Sequence, residues 1–459
     1  MIDFKKEVEN IKDNLIDDIK AMCAIPSMQD DATVGPNTPF GNDCRRALDT
    51  MLSWGIRDGF NVEDVDGYAG HIDIGEGNQC LGILGHLDVV PVNATGWNSD
   101  PFTVTTRNNR LYGRGVADDK GPLLAAYYAA KIIHNQSFSK KMKIRVIFGC
   151  NEELGSNCVK YYFSKKDYPT LGFTPDANFP VVYGEKAGAH ITIKGSAKKD
   201  GLICLYAGHR PNIVPESCKA VVEGNYKNYE ESFKTFLNNH NLQGSIEEEG
   251  NHTKLELIGK SSHASLPEQG INAIVYMSKY LSTVTDNVLV QFINTYLGDY
   301  YGKDLGIAHV GEMGPLTMNV GVLSYRKDTF EITLDLRCPH DCNFDTLVTT
   351  IQEDCQKYNF SETHEIGQPL YIDPQSELVT KLHAAYVDAT QDSKAKPQAI
   401  GGGTYAKSMP NCVAFGPEFP NEDNNIHENN ESISIDSLLQ ATEIYARAIY
   451  NIIKDDNIK

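Results

Sequence analysis

The sequence predicts an α/β protein with an α+β unit inserted into it. Three observations carry that prediction: the length, strand–helix–strand order in the first part of the chain, and a long middle stretch of alternating runs. At 459 residues the chain exceeds one ordinary core, so two domains are expected. Residues 80–85 (CLGILG) and 142–150 (MKIRVIFGC) are apolar enough for buried strands of a mostly parallel sheet. Between them, residues 122–134 (PLLAAYYAAKIIH) have the composition and length of a crossover helix. The same character returns late, with a strand over 412–415 and an amphipathic helix over 434–454. From about residue 185 to 374 the runs 190–194 (HITIK), 254–258 (KLELI) and 329–336 (TFEITLDL) read as antiparallel strands with one face covered. Helices near 226–238 and 270–281 would join them. The expected boundaries are therefore 1–184 plus 375–459 for the α/β domain and 185–374 for the insertion.

Composition narrows the class of partner. The chain carries 42 basic against 61 acidic residues, a net charge of −19, which repels phosphate backbones and anionic lipid. Neither nucleic acid nor a membrane is expected as a partner. No run of about 18 apolar residues occurs, so no membrane span is expected. The first residues lack the apolar core of a signal peptide, and Phe4, Val8, Ile11, Leu15, Ile19 and Met22 instead form the stripe of an amphipathic helix. Eleven cysteines scattered singly fit a reducing compartment, so a cytoplasmic protein is expected.

Ligands of an open α/β sheet bind at the strand ends, and here those ends are rich in metal-binding side chains. The run 80–85 leads into His86-Leu87-Asp88. Alternation puts His86 and Asp88 on one side, so Asp88 can orient the imidazole of a metal-bound His86. Alone, this triplet serves equally well as a capped strand end. Residues 111–122 (LYGRGVADDKGP) set Asp118 and Asp119 just before a helix. A carboxylate there can bridge two cations, or merely cap the helix. A phosphate loop is a poor fit, because the two aspartates would repel the anion. The run 142–150 ends in Glu152-Glu153, a costly pair of charges unless a cation is near. One can bind metal while its neighbour acts as general base; a solvated loop is the plainer reading. Asp176 adds a carboxylate and His427 an imidazole.

Together His86, Asp118, Glu153, Asp176 and His427 make a nitrogen and oxygen donor set without thiolate, suited to Zn²⁺, Mn²⁺ or Co²⁺. Five ligands exceed the usual three of a single catalytic zinc, so two ions sharing one carboxylate fit better, and hydrolysis is the chemistry implied.

Residues 85–91 (GHLDVVP), 112–122 (YGRGVADDKGP), 151–155 (NEELG), Asp176 and His427 together resemble the metallopeptidase family that contains aminoacylase, carboxypeptidase G and bacterial dipeptidases. The resemblance spans essentially the whole chain. The Asp-Asp-Lys-Gly-Pro form and the long insertion are most similar to its PepV-type dipeptidases. The resemblance implies a di-metal catalytic domain in which His86 and Asp176 bind one ion, Glu153 and His427 the other, and Asp118 bridges. It makes Glu152 the general base, acting on a water between the two metals, and Asp88 the partner of His86. It also implies a cis peptide between Asp118 and Asp119.

Within the insertion, residues 259–265 (GKSSHAS) resemble the family segment whose histidine stabilises the tetrahedral intermediate, which points to His263. Asn212 and Arg337 would then bind substrate, Arg337 gripping the peptide's C-terminal carboxylate through two parallel hydrogen bonds. Residues 401–405 (GGGTY), Gly402 among them, would offer backbone contacts. About 190 inserted residues are roughly enough for a lid domain built from two halves, which implies a monomer with His263 acting in cis.

The reading is a dipeptidase. An N-acyl amino-acid amidohydrolase or carboxypeptidase of the same family is the nearest alternative, and a catalytically silent metal-binding protein is the alternative of another class. The segment Cys338-Pro339-His340-Asp341-Cys342 looks like a metal knuckle but has no second ligand pair at matching spacing. His190, His209, His252 and His364 are read as surface or structural residues.

Overall fold

The computed structural model describes residues 2–93 and 95–454 and divides the chain into two compact units. The first comprises Met1–Gly184, Tyr371–Gln398 and Gly403–Lys459; the second comprises Glu185–Leu370 and Ala399–Gly402. The insertion thus leaves the first unit at residue 184 and returns at 371 rather than 375. A four-residue segment, 399–402, also clusters with the inserted unit, which no composition shift in the sequence marks.

In the first unit, strand Gln79–His86 lies parallel to Met142–Gly149 on one side and to Leu171–Thr174 on the other. Cys412–Ala414 continues the parallel set beside Leu171–Thr174. The sheet's edge is antiparallel: Ala69–Ile74 pairs with Met142–Gly149 and, through a hairpin, with Asn61–Val65. Positive φ at Asp66 (53°) and Gly67 (73°) gives that hairpin the tight primed-type turn that matches strand twist. The parallel centre follows from the buried crossover helix Lys120–His134, which joins Gln79–His86 to Met142–Gly149. That helix is apolar nearly all round because it is covered on both sides. The sheet lies beneath it, and helices Phe4–Cys23 and Ile435–Ile453 pack over it. The parallel register sets His86 opposite Gly149, so both strands end level and deliver their polar loops to one place.

In the second unit, eight antiparallel strands form one sheet. Alternate residues, such as Ala189, Ile191 and Ile193, or Ile332, Leu334 and Leu336, point into a single core with helices Glu230–Asn239, Ala273–Leu281, Val288–Tyr296 and Phe344–Lys357. The opposite face of the strand Thr329–Cys338 carries Thr333, Asp335 and Arg337.

Candidate metal centre and substrate-binding residues

His86 is the last residue of its strand and is 1 % exposed. Its Nε2 lies 2.9 Å from Asp118 Oδ1 and 3.7 Å from Asp176 Oδ2. The other Asp118 oxygen, Oδ2, is 2.8 Å from His427 Nε2, which is in turn 3.2 Å from Glu153 Oε1. Two groups of close donor atoms result: His86, Asp118 and Asp176, and Asp118, Glu153 and His427. Asp118 belongs to both, one oxygen to each. The five residues come from three strand ends, one helix start and a late loop. A cavity of about 200 Å³ opens on Asp118, Glu153, Asp176 and His427, lined also by Glu152, Thr404, Glu418 and Ile426.

The loop before Asp118 is held by a residue for which sequence spacing gives no signal. Glu431 is 0 % exposed, and its carboxylate accepts backbone N–H groups from Gly115 (3.1 Å), Ala117 (2.9 Å) and Asp118 (3.2 Å) while Arg114 Nη1 donates at 2.7 Å. Burial pushes its carboxyl up, against the pull of Arg114. On the other side of the loop, the buried ammonium of Lys120 donates to the carbonyls of Met22 (3.2 Å) and Ile25 (2.7 Å), at the C-terminal end of the first helix. The peptide between Asp118 and Asp119 is cis, as the resemblance implies. Glu431→Ala is expected to cost about 3–5 kcal/mol, the loss typical of breaking a buried ion pair from one side. Urea unfolding of the variant beside the parent checks this; a loss under about 1 kcal/mol would mean that the loop holds itself.

Asp88 touches both His86 and the loop of Glu152 and Glu153. His86 Nδ1 lies 3.0 Å from the backbone carbonyl of Asp88 and 3.5 Å from its carboxylate. The carboxylate oxygens also accept the backbone N–H groups of Glu152 and Glu153, both at 3.1 Å. Asp88 therefore meets the imidazole with its main-chain carbonyl and its carboxylate, and the same carboxylate fixes the Glu152-Glu153 loop. The ring of Tyr405 meets His86 edge-on, with centroids 6.0 Å apart, and its hydroxyl lies 2.8 Å from Cys158 Sγ.

The electrostatics of the cluster are those of a cation site. Burial, then the surrounding charges of Asp88, Glu153 and Asp118, push Glu152 up to about 8, with His86 opposing. Burial and the Asp118 charge likewise raise Asp176. Hydrogen bonds to Asp118 and Glu153 raise His427 to about 10. So many carboxylates gathered in one space beside the imidazoles of His86 and His427 fit divalent cations and would be costly without them. His427 itself stands at φ 63°, a left-handed conformation unusual for a residue with a side chain, which the turn around it holds.

The second unit gathers the remaining candidates. Asn212 and His263 lie on adjacent chains: Ile213 bridges His263, and Ala264 N–H donates to the Asn212 carbonyl at 2.9 Å. His263 Nδ1 lies 2.7 Å from Ser265 Oγ. Desolvation of its ring and the nearby Arg337 charge lower its pKa. Arg337 Nη1 donates to the Gly401 carbonyl at 2.9 Å, so Gly402 stands beside that contact. Among the described residues the 338–342 segment gathers no group of three ligands. His190, read from sequence as surface or structural, is half exposed yet bonded to the buried Asp335 at 3.1 Å.

Comparison with known proteins then decides the family. Residues 82–451 match the family described as Peptidase family M20/M25/M40. The chain belongs to that family. This M20 peptidase is accordingly a hydrolase of the metallopeptidase class. It is 37% identical over 468 residues to "Putative dipeptidase YtjP" of Bacillus subtilis (strain 168), covering 99% of this chain and 100% of that one. It is 36% identical over 466 residues to "Putative dipeptidase SH1171" of Staphylococcus haemolyticus (strain JCSC1435), covering 98% and 99%. The M20 peptidase shares its mixed α/β two-domain fold with aminoacylhistidine dipeptidase from Vibrio alginolyticus (TM-score 0.58, 13% identity, 96% and 97% covered). The di-peptidase Dug1p from Saccharomyces cerevisiae has the same fold (TM-score 0.57, 14% identity, 98% and 97% covered).

Proposed function

We propose that this M20 peptidase is a dipeptidase that works with two divalent cations, zinc foremost, with manganese or cobalt accepted by the same donors. The observation that carries the reading is the sharing of Asp118 between two ligand groups, beside a Glu152 that belongs to neither. His86 and Asp176 would hold one ion, Glu153 and His427 the other, and Asp118 both. Bound there, the ions supply Lewis acidity to the scissile carbonyl and make water acidic enough to give up a proton near neutral pH.

The chain's own groups do the rest. Glu152 takes the proton of the attacking water on its carboxylate and returns it to the leaving amine. Asp88 keeps Glu152 in place through the loop amides. His263 stabilises the developing oxyanion, Arg337 binds the C-terminal carboxylate, and Asn212 and the Gly402 backbone align the peptide. The relatives named as dipeptidases, matched along almost their whole length, support dipeptides over longer peptides. Cytoplasmic residence agrees with eleven cysteines that are all free. The insertion's length supports a monomer; light scattering that shows an obligate dimer overturns that part alone.

The test is metal analysis of the purified protein together with a panel of free dipeptides, N-acetyl amino acids and longer peptides. Two ions per chain and a preference for free dipeptides are expected. A preference for N-acetyl amino acids would make the protein an amidohydrolase, and inactivity across the panel with metal bound would leave a silent binding protein.

A further inference from the structure

Asp335 is a buried charge that the proposed chemistry does not use. It lies mid-strand with 0 % exposure, flanked in sequence by the core residues Leu334 and Leu336. A carboxylate so placed is costly unless it is well partnered. Its partner is Arg337, two residues on and on the same face: Nε donates to Oδ1 at 2.7 Å and Nη2 to Oδ2 at 2.9 Å. On the neighbouring strand His190 stands opposite Asp335 in register and lies 3.1 Å from Oδ2 by its Nε2.

A guanidinium has five N–H donors. Asp335 takes two, the Gly401 carbonyl takes a third from Nη1, and one N–H remains on each of Nη1 and Nη2. A substrate carboxylate needs two donors from a planar fork. Three fixed acceptors therefore leave the arginine with the number of donors its substrate needs and remove the rotamer freedom that would otherwise be lost on binding. His190, by sharing Oδ2, draws on the charge of Asp335 and leaves more of the guanidinium charge for the substrate.

From this geometry we infer that Asp335, backed by His190, is the positioning residue that presents Arg337 to the substrate's C-terminal carboxylate. The inference rests on the dipeptidase reading of Arg337. It predicts an effect on KM confined to substrates that carry a free carboxylate. The experiment compares a free dipeptide with the same dipeptide as its C-terminal amide, in the parent metalloenzyme and in Asp335→Asn, His190→Gln, Arg337→Met and the Asp335→Asn/Arg337→Met pair.

Asp335→Asn is expected to raise KM for the free dipeptide roughly 10- to 100-fold with kcat within about threefold, and to leave the amide unchanged. It should add little to Arg337→Met, since both remove one interaction. His190→Gln, which leaves the buried pair intact, should raise the same KM roughly two- to fivefold and serves if Asp335→Asn fails to fold. Equal losses on both substrates, or additivity with Arg337→Met, overturn the inference. So does an unchanged free-dipeptide KM in both Asp335→Asn and His190→Gln while Arg337→Met raises it. If Arg337→Met itself leaves the free-dipeptide KM unchanged, the dipeptidase reading of Arg337 has failed, and the inference falls with it.

Discussion

Glu152→Gln is expected to lower kcat by about 10³- to 10⁴-fold while both ions stay bound, the upper part of the range for losing a general base. The substitution keeps the size of the side chain and removes only its ability to accept a proton. Neither close group of donor atoms includes Glu152, so ion content should not change. The loop should also hold, because it is fixed through the amides of Glu152 and Glu153 on Asp88 rather than through the Glu152 carboxylate. Steady-state turnover of a dipeptide beside elemental analysis of the same sample gives the answer. A variant that keeps its ions and more than a tenth of its turnover removes Glu152 from the role of base.

Asp118→Ala is expected to strip both ions and bring activity below detection, whereas His427→Ala should strip one. The difference follows from the shared carboxylate: one Asp118 oxygen faces His86 and the other faces His427. Removing it takes a ligand from both groups and lets the remaining carboxylates face one another uncompensated. Chelation of the parent should mimic the variant, and added zinc or manganese should restore only the parent. An ion count near two in Asp118→Ala would show that the carboxylate does not bridge.

The sequence was informative wherever a residue's type and its place on an element agreed. His86 follows an unbroken apolar run, and Glu152-Glu153 ends another, so buried strands could be seen to deliver polar groups. Their coming together rests on the parallel register of Gln79–His86 with Met142–Gly149, which strand–helix–strand order already implied. Asp176 and His427 entered the donor set by residue type alone, and only the family pattern assigned each to an ion, because each stands in a short loop with no periodicity of its own.

Glu431 was not legible at all. It accepts mostly main-chain N–H groups, which any loop sequence offers, and its one side-chain partner named here, Arg114, lies 317 residues away in sequence. The same reason hid the contact of the Asp88 side chain with the Glu152-Glu153 loop, whose donors are main-chain amides too. Asp335 was hidden because the sequence placed Arg337 on substrate rather than on its neighbour two residues back, and because His190 reaches it across strands from 145 residues away. The antiparallel edge at Asn61–Val65 escaped notice because its strand is mostly exposed and polar, without the alternation that marks a covered face.

The fastening of Gly115–Asp118 by Glu431 has a consequence for biogenesis. Both it and His427 lie beyond the whole inserted unit, close to the last helix of the chain. On the ribosome the first 184 residues emerge without the strand Cys412–Ala414, the helix Ile435–Ile453 or the carboxylate that shapes the loop. The inserted unit can be completed before they arrive. With the proposed ligand set, ion capture would then be a closing event of maturation rather than a nucleus for it, and an unfinished nascent chain would carry no working hydrolase.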